Sequence, residues 1–151
     1  MFIAIPLHIL ATVIWVGGMF FAYMALRPVA ASLLEPPLRL PLWSQVFARF
    51  FPWVWAAVII LPATGLWIVF SVFGGFGHVA PYIHIMAAIG ILMILLFIHV
   101  FFGPYRRMKQ ALVANDIPEA GRRLGQIRMI IGFNLTLGLI VTVVASAGRF
   151  L

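Results

Sequence analysis

Four apolar stretches set the limits on what this chain can fold into. They cover about residues 2–26, 50–73, 81–102 and 129–147. Each is at or near the roughly 20 residues a helix needs to cross about 30 Å of hydrocarbon. The three connections between them differ sharply in charge. Arg27, Arg39 and Arg49 fall around the first, and Arg106, Arg107, Lys109, Arg122, Arg123 and Arg128 around the third, so two connections hold nine of the ten basic residues. The second connection, residues 71–81, carries only His78 as an ionisable side chain. Cytoplasmic loops collect Lys and Arg. The first and third connections are therefore expected inside, and the second, with both termini, outside in the periplasm. The expected architecture is all-α: an integral membrane, antiparallel four-helix bundle of the bacterial inner membrane, built as one domain over residues 1–151.

Composition narrows the function classes. The chain is 65% hydrophobic and 9% charged, against roughly 45–50% apolar and about 25% charged in soluble domains, so lipid must cover it. The net charge of +7 belongs to membrane loops that meet anionic lipid, which excludes nucleic acid as a partner. Without cysteine there are no disulfides, thiolate sites or iron–sulfur clusters, and His, Met and carboxylates are left as ligands. The three acids, Glu35, Asp116 and Glu119, all lie in the basic loops, so the spans hold no carboxylate for proton relay or hydrolysis. The start, Met1, Phe2, Ile3, has no basic region, and the apolar run to Leu26 exceeds a signal-peptide core; a retained first helix is expected.

Local breakers predict the boundaries. Arg27 and Pro28 should end the first span. The Pro-rich segment 29–45 reads as an interfacial loop or short surface helix. Pro62, Ala63, Thr64 and Gly65 should kink the second span, with Thr64 satisfying a freed carbonyl. Gly103 and Pro104 should stop the third, and residues 106–127 should form a partly helical loop. Trp43, Trp53, Trp55 and Trp67 read as interface anchors. No repeat is visible between the halves.

The histidines carry the functional argument, because ionisable residues within spans are functional candidates. His8 and His84 lie a few residues into the first and third spans, which run in the same direction. They should share a depth near the outer face, on spans in contact through their outer halves. His99 follows His84 by fifteen residues, about 22 Å along the axis and about 60° around it, near the inner face. Two neutral histidines facing each other across an apolar slot suit bis-imidazole ligation of haem b; the set His8, His84 and His99 also suits a metal ion such as copper. The plainer alternative is that each bonds a neighbouring helix. Trp15 shares the His8 face and would pack beneath a ring held there. Gly17 and Gly18 allow close approach of a helix or a flat cofactor, making His8, His84, Trp15 and Gly18 the candidate cofactor-binding set. Asn134, level with His99, reads as an interhelical hydrogen bond or as the group that orients His99. Met19 also shares the His8 face, whereas Met86 and Met93 point away from His84. His78 reads as solvated.

Leu7, His8, Ile9, Leu10 and Ala11, followed by Ile14 to Phe20 with Trp15, Gly17 and Gly18, resemble the first helix of the copper resistance protein D domain family. Phe97, Ile98, His99 and Val100, then Tyr105, Arg106 and Arg107, and the run Gly125 to Arg128, fit the same resemblance. It implies a polytopic inner-membrane protein associated with copper, working with a periplasmic copper-binding protein. The first helix is also similar to that of the HemJ-type protoporphyrinogen oxidases, four-span proteins that bind haem b. That similarity implies a tetrapyrrole-binding element around His8 and Trp15. His99 falls near their later histidine, and Met86 stands where they carry a lysine.

Three functions follow as expectations. The first is a b-type haem protein with an electron-transfer or haem-dependent oxidoreductase role, served by a redox partner. The second is a copper-binding or copper-transport protein. The third is an accessory structural subunit. Gly17 and Gly18 also offer a surface for a homodimer.

Overall fold

The computed structural model describes residues 2–150; Met1 and Leu151, the ends of the expected domain, lie outside it. The described chain is all-helical, with four helical runs long and apolar enough to cross a membrane: Ala4–Leu33, Pro36–Val72, Pro81–Val113 and Ile117–Ala147. It is a multi-pass membrane protein.

The first run is α1 (Ala4–Phe21), a π-helical turn (Ala22–Leu26) and α2 (Arg27–Leu33). Leu34 and Glu35 turn the chain, and α3 (Pro36–Val72) returns with Pro36 and Pro37 in its first turn, where a missing N–H costs nothing. Gly74 and Gly75, with φ of 74° and 116°, make the left-handed turn after α3 that only glycine adopts freely. The second half repeats the design: α4 (Pro81–Val100), a π-helical turn (Phe101–Tyr105), α5 (Arg106–Val113), a short turn and α6 (Ile117–Ala147). That turn places Asn115 at φ 54°, and the Asp116 carboxylate caps α6 by accepting from the Glu119 N–H at 3.2 Å. The molecule is thus two helical hairpins of one plan, a repeat with no trace in the sequence.

Several expected boundaries are corrected. Pro28 does not end the first run, and Gly103 with Pro104 does not end the third. Pro104 lies inside a π turn, and Pro28 follows one in the first turn of α2; the wider i→i+5 ladder there accommodates the missing N–H. The segment 29–45 is no loop, because α3 already begins at Pro36. Pro41, Pro52 and Pro62 all lie inside α3.

Packing follows the hairpins. The main partner of α1 is α3, and that of α4 is α6, with α1 and α3 both also touching α6. The expected pairing of the first and third spans through their outer halves is replaced by this arrangement; the two meet where Trp15 sets its edge against Phe97 at 6.3 Å. The centre is aromatic. Phe51 contacts Phe97 at 5.4 Å and Tyr105 at 4.8 Å, and Trp55 contacts Phe97 at 5.2 Å and Phe101 at 5.3 Å, within the range where edge-to-face pairs attract. Trp43 (7% exposed) belongs to this core, and Trp55 packs against it, so neither is an interface anchor. Trp53 and Trp67, 61% and 60% exposed, keep the lipid-facing position. Where helices approach closely, glycine makes the room. A Cβ at Gly18 would overlap the Phe50 ring, and one at Gly138 of α6 would come within 2.9 Å of Val16 of α1.

Candidate functional site

His8 sits one turn into α1, half-buried against α3. Its Nδ1 lies 2.8 Å from the Thr64 hydroxyl oxygen. Thr64 is buried, and its hydroxyl donates to the Ile60 carbonyl at 2.6 Å, with Leu61 O at 3.2 Å. A threonine has one hydroxyl proton. With that proton on the Ile60 carbonyl, Oγ1 is an acceptor for His8 Nδ1–H, and in that tautomer Nε2 carries the lone pair; the Leu61 carbonyl is a second acceptor for the ring, from the backbone. This is the arrangement that sets the tautomer of a ligand histidine from outside. The carbonyl that loses its N–H partner to Pro62 is that of Val58, four residues back; the Thr64 hydroxyl bonds Ile60 and Leu61 instead, and its oxygen also meets His8. Gly65 completes the seat, since a Cβ there would stand 3.4 Å from His8 Cε1.

The other histidines lie apart from this seat in their contacts. His84 is exposed, its ring stacked on Phe76 at 6.0 Å and 28°. His78 ends the short 3-10 turn Phe76–His78 and is exposed. His99 is exposed on α4 beside Gly103. Among the described residues no three His, Cys, Asp or Glu side chains gather as a metal cluster. His8, His78 and His84 nevertheless share one end of the bundle, because α1 and α4 both start there. The basic connections lie at the other end.

Asn134, 4% exposed on α6, does form an interhelical bond, but not toward His99. Its Nδ2 donates to the Met93 carbonyl of α4 at 3.3 Å, and Oδ1 has no protein partner. It borders a cavity of about 20 Å³ shared with Trp15, Met19, Phe50 and Phe97, room for one water. Trp15 is 2% exposed and serves this core. Met19, on the His8 face by spacing, is buried there too. The contact that sequence reasoning misses is Thr64 to His8: Thr64 does bond its own helix carbonyls, and only the α1–α3 pairing brings its oxygen to the His8 ring as well.

A family model for copper resistance protein D matches residues 44–147. The chain belongs to that family. The matched part takes in Thr64, Gly65, His84, His99 and Asn134, while α1, with His8 and Trp15, precedes it. No curated protein and no solved structure matches the chain.

Proposed function

We propose that this family member handles copper within the membrane, taking the ion at the end of the bundle that carries His8, His78 and His84. The observation behind this is the His8–Thr64 bond, which engages Nδ1 with a second helix, so that Nε2 is the ring nitrogen left to bind a metal in the Nδ1–H tautomer. Neutral imidazole and thioether are donors that suit copper, and the family is named for resistance to that metal. Copper is the cargo in this reading, and His8 is its anchoring ligand, with His84 and His99 as further ligands near either end of α4. Thr64 orients His8, and Gly65 leaves its ring room. A single anchoring histidine fits passage better than storage, since a conducted ion must bind well enough to enter and weakly enough to leave. By the positive-inside rule the histidine end and both termini face the periplasm of a bacterial inner membrane, where a periplasmic copper-binding protein would exchange the ion.

Haem b held by His8 and His84 is the second reading. The same tautomer favours it, because the open Nε2 would equally serve as an axial ligand. It requires His84 to leave its seat on Phe76. Metal content and absorption of the purified protein separate the two. The copper reading expects a bound ion that disappears in His8→Ala, and no Soret band. A Soret band that sharpens on reduction and is lost in His8→Ala transfers the function to haem, and a protein that takes up neither rejects both.

A further inference from the structure

A second site lies at the opposite end of the bundle and does not depend on the copper reading. A groove of about 520 Å³ opens between the π turn of the first hairpin, the start of α3 and the first turns of α6. That volume lies within the range of small-molecule sites. Tyr23, Trp43 and Phe47 give it an apolar wall, and Arg27, Arg39 and Arg128 stand along it. Gly121 and Gly125, one turn apart on α6, also line the groove; a Cβ at either would meet nothing within 4 Å.

Arg27 and Arg39 are held by local contacts, Arg128 is exposed, and among the described residues none of the three forms an ion pair, Glu35 one turn before Arg39 included. Arg27 lies over the Tyr23 ring at 4.3 Å and donates Nε to the Tyr23 carbonyl at 3.2 Å. Arg39 donates one N–H to Ala31 O at 3.4 Å. Each guanidinium has five N–H groups, so most remain free. The two ion pairs among the described residues both join Glu119 to Arg122 and Arg123; neither reaches the groove. Three cations beside a deep apolar wall call for a ligand with an anionic head and a hydrocarbon body. A soluble anion would leave the apolar wall unmatched, and a neutral lipid would leave the arginines unmatched. Guanidinium forks match phosphate oxygens bidentately, and the groove lies where the apolar runs give way to the basic connections, at headgroup level.

We propose that this groove binds one anionic phospholipid, its phosphate held by Arg27, Arg39 and Arg128 and an acyl chain lying along the Trp43 and Phe47 wall over Gly121 and Gly125. The site is tested on the full-length protein in mild detergent by native mass spectrometry, after incubation with phosphatidylglycerol or phosphatidylcholine. The wild type should retain one phosphatidylglycerol, at least about tenfold more than phosphatidylcholine, as the loss of charge-assisted contacts implies. The triple variant Arg27→Gln, Arg39→Gln, Arg128→Gln should lose that preference. Gly125→Leu should exclude the lipid by filling the groove while keeping all three charges, and circular dichroism confirms that each variant is helical. Should the triple variant misfold, Arg128→Gln alone should still weaken retention severalfold, since Arg128 is exposed and has no packing role to lose. Excess glycerol phosphate should not displace the lipid. Equal retention of both lipids, unchanged retention in Gly125→Leu or Arg128→Gln, or full displacement by glycerol phosphate would overturn the proposal, the last by showing that the groove selects a soluble anion.

Discussion

Thr64→Val separates orientation from ligation. It keeps the shape of the side chain, but removes the oxygen that accepts from His8 Nδ1–H. Loss of such an outer partner typically costs about 10- to 100-fold in metal affinity. Copper affinity should fall by that factor in a competition titration, while His8→Ala abolishes anchoring. An unchanged affinity in Thr64→Val would show that the bond is mere packing. Asn134 offers the opposite case. Its Nδ2 bonds Met93 O, while Oδ1 has no protein partner and borders a cavity with room for one water, so a single polar bond of about 0.5–1.5 kcal/mol is at stake. Asn134→Leu, with the neighbouring cavity to take up added volume, should leave the unfolding midpoint in detergent nearly unchanged and leave copper affinity intact. A marked loss of copper affinity would restore the idea that Asn134 orients a ligand.

At the scale of the element, the aromatic centre holds the hairpins together. Phe97 touches Trp15, Phe51, Trp55 and Phe101. Phe97→Ala in a soluble core would cost roughly 3–5 kcal/mol. Lipid is as apolar as the vacated space, so only the packing part is lost here. The unfolding midpoint should drop clearly, but by less than a soluble core would show; no drop would place the stability elsewhere. Part of this was legible in the sequence. Four spans and their charged connections follow from the apolar runs and the arginines. The continuation of helix past Pro28 and Pro104 does not, because a single-residue proline rule predicts a break, whereas a π turn at or just before each proline, a property of several residues together, carries the helix through. The burial of Trp43 and Trp55 was hidden for a related reason. A tryptophan near a span end looks like an interface anchor until its neighbours Phe47 and Phe97 are known to stand beside it.

For the whole molecule, the two-hairpin plan puts three histidines at one end and the arginine groove at the other, an asymmetry that gives the bundle a direction. His8 was legible as a candidate from its depth alone. Its partner was not, since the sequence suggested that the first and third spans would meet, whereas α1 packs on α3. Reporter fusions after Gly75 should behave as periplasmic and fusions after Ala114 as cytoplasmic, and the reverse pattern would turn the copper entry to the cytoplasmic side. The central claim is that His8 anchors copper. It is tested most directly by titrating copper into the purified wild type and into His8→Ala, in the same detergent, against a chelator of known affinity. The account predicts one copper held by the wild type and none held competitively by His8→Ala. Equal copper binding by the two proteins would contradict it.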